Sequence, residues 1–156
     1  DFRRAGHALE VKTTSRKSDL TVEVSAIDQL VPPNGGTLHL AHVILERDAH
    51  GALNVEGLVR KALDMASDSA AITKLLGLLG CNDHGDENWN RLRFSEEEVT
   101  FYGVIEGFPR IVPGIFSAGC LPTGVTKLKY TIDLAQATSF ALSEKVVDEL
   151  LRRISG

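Results

Sequence analysis

The chain predicts an α/β (α+β) fold, and three observations carry that reading. Short stretches with strand character stand near both ends, at residues 7–14, 20–24 and 37–47 and again at 99–105 and 125–134. Apolar stripes with helical period fill the middle and close the chain. The length of 156 residues and a hydrophobic share of 43% suit one domain, 1–156, with a sizeable core.

The first strand is His7-Ala8-Leu9-Glu10-Val11-Lys12-Thr13-Thr14. Side chains alternate along a strand, so Glu10 and Lys12 share a face, ~7 Å apart along the backbone. Val11, with Leu9 and Thr13, points the other way and is expected to pack inward. Ser15-Arg16-Lys17-Ser18-Asp19 is a polar turn. Arg16 and Lys17 lie just past the strand, where they can meet a phosphate backbone or form a solvated hairpin tip. In 20–24, Leu20, Val22 and Val24 alternate with Thr21 and Glu23, a half-buried strand expected to pair with the first.

Ser25 caps a short turn at 26–30, and Pro32-Pro33-Asn34-Gly35-Gly36 ends it. The Gln29 amide in this turn can hold a water or a phosphate, or cap local backbone. Residues 37–47 read as a central strand with both faces covered. Leu38, Leu40 and His42 share one face, and His39, Ala41, Val43 and Leu45 the other, so the two histidines suit structural roles better than one metal site.

Asn54 caps a helix at 55–66 whose stripe is Val55, Leu58, Val59, Ala62, Leu63 and Ala66. A second helix starts at Asp68 or Ser69 and stops at Gly80, with Ile72, Leu75, Leu76 and Leu79 facing the core. The pair is expected as a hairpin covering a sheet face, with Met65 as core filler. Residues 81–90 form a polar loop anchored by Trp89. Its Cys81, Asp83, His84 and Asp86 lack the spacing of a zinc site. A strand starts at 91–94, and Glu96-Glu97-Glu98 is the solvated lead-in to the strand at 99–105. A turn-rich connection follows at 107–114, and a loop at 119–124 holds Cys120 without a partner base. In 125–134, Leu128, Tyr130 and Ile132 oppose Lys127, Lys129 and Thr131. The last helix, 144–154, is capped by Ser143 and turns Val146, Val147, Leu150, Leu151 and Ile154 inward. Glu144 and Arg152-Arg153 match its dipole.

Composition narrows the function. A formal net charge of -4 and a pI near 5.7 count against a stand-alone nucleic-acid-binding module, but not against a nuclease with a local positive groove. Two cysteines make no disulfide framework and read as reduced thiols, which points to the cytoplasm. No apolar run approaches the length of a membrane span.

The chemistry gathers at the first strand. Asp1 precedes Glu10 by nine residues, and a hairpin turn between them brings it back beside Glu10. Two carboxylates can bind Mg²⁺, and a bound ion polarises a phosphate and acidifies a water. Lys12 can orient that water or offset charge developing on the phosphate. The bland alternative is an ordinary polar strand surface, since Glu-x-Lys is common there.

A series of motifs runs through the chain in order: Asp1-Phe2, Glu10-Val11-Lys12-Thr13-Thr14, Ser25-Ala26-Ile27-Asp28-Gln29-Leu30, Phe108-Pro109-Arg110-Ile111 and Tyr130-Thr131-Ile132-Asp133-Leu134. This series resembles the PD-(D/E)XK nuclease superfamily, and within it the proteins associated with prokaryotic restriction-modification systems. The resemblance implies a restriction-endonuclease-like mixed central sheet flanked by helices. It implies Asp1 and Glu10 as metal ligands, Lys12 as the catalytic lysine and Mg²⁺, or Mn²⁺ in its place, as cofactor. DNA is the implied substrate, with restriction-modification or other defence proteins, and a second copy of the chain as a homodimer, as partners. It also implies a helix before Asp1, so the chain is expected to be a fragment lacking its N-terminal helical part. The resulting expectation is a metal-dependent DNA endonuclease of restriction or phage defence. The alternative is a non-catalytic interaction or assembly domain of a defence complex.

Overall fold

In the computed structural model, residues 2–15 and 20–155 are described, the side chain of Ser155 excepted. Asp1, Arg16 and Lys17 therefore lie outside the described residues. The chain divides into two compact units, Asp1–Ile44 with Glu98–Gly156, and Leu45–Glu97.

The first unit is built around a mixed sheet. A two-residue turn, Ala5-Gly6, folds strand β1 (Phe2–Arg4) back antiparallel on β2 (His7–Thr14), with Phe2 opposite Leu9 and Arg4 opposite His7. Both turn residues have left-handed φ, 46° and 80°, the combination a tight hairpin needs to match strand twist. β2 then pairs in parallel with β4 (Thr37–Arg47), from His7↔Thr37 to Thr14↔Ile44. With β5 (Phe94–Gly103) the order is β1-β2-β4-β5, so β4 is central as its two-sided apolar pattern predicts. Gly36 sets the entry into β4: Thr37 N donates to Gly6 O at 2.9 Å, and a Cβ on Gly36 would sit 2.0 Å from that same oxygen.

β3 (Thr21–Val24) does not pair with β2 as expected. It pairs antiparallel with β6 (Tyr130–Asp133) in a separate two-stranded sheet. The register explains why. It sets Val22 opposite Ile132 and Val24 opposite Tyr130, leaving Thr21, Glu23, Thr131 and Asp133 on the outer face. The strand expected over 125–134 is confined to Tyr130–Asp133, because four-residue β3 offers no partner beyond it. The core lies between the two sheets: Ala8, Leu38 and Leu40 on one side, Val22, Val24 and Ile132 on the other. Phe108 packs edge-on against Phe140 at 5.5 Å, and the 3₁₀ helix Leu134–Phe140 contributes Leu134 and Ala137. On the opposite face of β2 and β4, helix α4 (Glu144–Ser155) buries Leu150; Val146 and Leu151, expected inward, are partly exposed.

The second unit carries helices α1 (Val55–Met65), α2 (Ser69–Leu78) and α3 (Glu87–Asn90). Asn54 and Asp68 cap α1 and α2 by accepting from Gly57 N and Ala71 N, each at 3.0 Å. Gly80, at φ 83°, closes α2 with bonds from Gly80 N to Gly77 O and Cys81 N to Leu76 O, a Schellman arrangement. The apolar stripes are not core stripes. Val59 is the buried residue of α1, and among the described residues none of α2 is buried. Leu79 is 76% exposed and Met65, expected as core filler, 78%. A unit this small encloses too little volume to cover both helices. The acidic lead-in Glu96-Glu97-Glu98 belongs to β5 itself, where solvated acids suit a strand at the end of the sheet order. α3 forms inside the stretch read as a loop and leaves Trp89 partly exposed.

Candidate active site on strand β2

The parallel register places Glu10. Paired residues on adjacent strands project to the same face, and Glu10 pairs with Leu40 between Ala8↔Leu38 and Lys12↔His42. Ala8, Leu38 and Leu40 belong to the core, so Glu10 points toward the buried side and is 4% exposed. Glu10 is thus not exposed strand surface, and Lys12 is half-buried. A carboxylate in this position is costly without a partner. Lys12 supplies one, with Nζ 2.9 Å from Glu10 Oε1 and its side chain 18% exposed, so the pair straddles the border between core and solvent. Val11, expected inward, is half-buried, Leu9 beside it is buried and Thr13 is exposed.

The turn after β3 reaches the same place. Gln29 Oε1 lies 3.4 Å from Lys12 Nζ and accepts from Ser25 N at 2.8 Å, with Ser25 Oγ at 3.4 Å. The structure thus brings Glu10, Lys12 and Gln29 together. Ser25 joins them; read only as a turn cap, it acts on Gln29, four residues on, rather than on a helix. His42 is wholly buried on the same face and is the β4 residue paired with Lys12, a placement that alternation alone suggests and only the register establishes.

Beside Lys12 lies a cavity of about 500 Å³, lined by Thr13, Thr14, Thr21, Glu23 and Thr131. Hydroxyls dominate it, and Glu23 is ion-paired to Lys129 at 2.5 Å. The hydroxyls and Lys12 supply hydrogen-bond donors to this cavity, and the Glu23 carboxylate adds an acceptor. The remaining tempting residues serve locally. Asp83 Oδ1 accepts from Gly85 N and Asp86 Oδ1 from Asn88 N. Cys81 is buried and Cys120 exposed. A mainly apolar cavity of about 390 Å³ in the second unit is lined by Leu53, Leu58, Trp89 and Phe94, with Asn54, Asn88 and Arg91 also at its wall.

Among the described residues, no three His, Cys, Asp or Glu side chains converge as a metal site. Glu10 supplies one hard carboxylate. Mg²⁺ commonly uses one or two carboxylates with waters and substrate phosphates, so this donor fits such an ion as part of a set. The last described pair of the β1–β2 hairpin, Phe2↔Leu9, stands immediately before Glu10 on β2.

A mixed four-stranded sheet with helices, carrying Glu-x-Lys at the border of its core, is an α+β arrangement consistent with the fold of PD-(D/E)XK nuclease-like proteins. The family model described as "Putative PD-(D/E)XK family member, (DUF4420)" matches residues 1–135, and the chain belongs to that family. Nothing among curated proteins or solved structures matches it. Among the described residues, no helix is long and apolar enough to cross a membrane.

Proposed function

We propose that this protein is a metal-dependent DNA endonuclease acting in restriction or phage defence. One observation carries the reading: Glu10 and Lys12 form a close ion pair at the core border of β2, beside a hydroxyl-lined cavity, in a chain of the PD-(D/E)XK family. Glu10, with Asp1 as the acid that the family motif pairs with it, would hold Mg²⁺ or Mn²⁺. The bound ion would polarise the phosphate and lower the pKa of a water. In the hydrolysis, a water oxygen bonds to phosphorus, the ester P–O bond breaks and the leaving oxygen takes up a proton. Lys12 offsets charge on the phosphate oxygens from its fixed place beside Glu10. The cavity threonines seat the sugar-phosphate backbone, and Arg16 and Lys17 extend that contact.

The test is plasmid cleavage by the protein in Mg²⁺. Chelation abolishes cleavage, and Lys12→Ala lowers the rate by about a hundredfold or more. Equal nicking by wild type and Lys12→Ala removes Lys12 from the chemistry.

A second reading, a non-catalytic interaction or assembly domain of a defence complex, is favoured by the exposed Leu75, Leu78 and Leu79 at the end of α2. It predicts no site-specific uptake of Mg²⁺ or Mn²⁺. Calorimetric binding that is lost in Glu10→Gln excludes it.

A further inference from the structure

Lys12 is held from two sides. Glu10 Oε1 takes its ammonium at 2.9 Å, and Gln29 Oε1 faces it at 3.4 Å. A lysine ammonium carries three donors on a flexible stem, so a single acceptor leaves its direction loosely set. Two acceptors on different segments, one on a strand and one on a turn, narrow its directions more than one would.

The orientation of Gln29 is itself determined. The Ser25 backbone N–H donates to Gln29 Oε1 at 2.8 Å, and a backbone N–H can only donate. The flipped amide would turn its –NH₂ toward both that N–H and the Lys12 ammonium, donors facing donors, with the Ser25 hydroxyl at 3.4 Å left as the acceptor. The turn is anchored as well. Gln29 N bonds Ala26 O at 3.2 Å and Val31 N bonds Asp28 O at 3.1 Å. The adjacent Leu30 is wholly buried, and its carbonyl accepts from Arg110 Nη1 at 2.6 Å. Gln29 therefore projects from a turn tied into the core.

We propose that Gln29 is a positioning residue for Lys12, oriented by the Ser25 N–H, and that its carbonyl oxygen is committed to this task rather than to a water or a phosphate. The consequence for cleavage rests on the endonuclease reading above; the positioning of Lys12 does not.

Two variants separate the acceptor from the volume it fills. Gln29→Leu removes the oxygen and keeps the bulk, with Gln29→Met as its substitute where Leu prevents folding. Gln29→Glu keeps an acceptor toward both Ser25 N and Lys12. The readout is ¹⁵N relaxation of the Lys12 ammonium, with exposed Lys145 as internal reference. Lys12 is expected to be ordered in wild type and Gln29→Glu and clearly more mobile in Gln29→Leu, though less mobile than Lys145 because the Glu10 ion pair remains. Ser25→Ala, which keeps the N–H, is expected to match wild type. Under the endonuclease reading, Gln29→Leu also lowers kcat by about a hundredfold at little change in KM, and Gln29→Glu restores it. Lys12 equally ordered in Gln29→Leu and wild type overturns the proposal, as does equal loosening in Gln29→Leu and Gln29→Glu. A wild type that cleaves no DNA removes the endonuclease reading, while the relaxation data still decide the positioning.

Discussion

His39 shows how one residue reports its surroundings. It lies on β4, on the face of the sheet away from Glu10, with α4 over it. It lines a cavity of about 140 Å³ with His7 and Thr37 of the strands and Glu149 and Arg153 of α4, the last two paired to each other. His7 bonds Thr37 Oγ1 through Nδ1 at 2.8 Å, while His39 Nδ1 is buried with no hydrogen-bond partner among the described residues. Burial lowers the pKa of His39 below 6.5, His7 lowers it further, and a bond with the Ala8 backbone opposes both. The folded state thus holds fewer protons on this ring than the unfolded state, so stability falls as pH falls. The stability contributed by neutral His39 is intact above its unfolded value near 6.5 and is lost as pH drops through and below it. Thermal melts from about pH 8 to about pH 5 are expected to show a larger fall in Tm for wild type than for His39→Gln. Equal falls place the pH dependence elsewhere. The sequence separates His39 from His42 by alternation. It does not show that one lies beneath a helix and the other beside Lys12, since both depend on which elements pack on each face.

At the scale of elements, the β1–β2 hairpin carries a local conflict. Ala5 occupies a left-handed position, φ 46°, that an alanine side chain disfavours by roughly 1–2 kcal/mol. Asn is the residue such turns prefer before Gly. Ala5→Asn is expected to raise stability by up to about 1 kcal/mol, read as a higher denaturant midpoint at unchanged slope. A lower midpoint means that the turn conformation is not imposed by the β1–β2 pairing. β2, β4 and α1 are legible in the sequence to within a residue. Their signals are local: an unbroken strand pattern bounded by turn residues, and Asn54 as a cap. The partner of β3 is not local information. Its alternation says that one face is buried, and many strands satisfy that; Ile132 and Tyr130, more than a hundred residues away, decide the register.

At the scale of the whole molecule, apolar periodicity assigns Leu40 and Leu79 alike to a core, and the structure separates them. Leu40 is wholly buried between the two sheets, while Leu79 is largely exposed at the end of α2. Leu40→Ala is expected to cost about 2–5 kcal/mol of unfolding free energy. Leu79→Ala is expected to stay within about 0.5 kcal/mol. Denaturant titration distinguishes them, and comparable losses at both sites contradict the burial of Leu40 and the exposure of Leu79. The sequence by itself determined the α+β class, most element positions and the Glu10–Lys12 pair, because alternation, capping and turn chemistry act over a few residues. It also carried the family, through motifs spread along the chain. Only the tertiary structure decided that Glu10 faces the core and that Gln29, bonded to Ser25, meets Lys12. It also decided that α2 stays at the surface. Burial and register follow from which surfaces meet across long sequence separations, and a periodic pattern states that a face is apolar without stating what covers it.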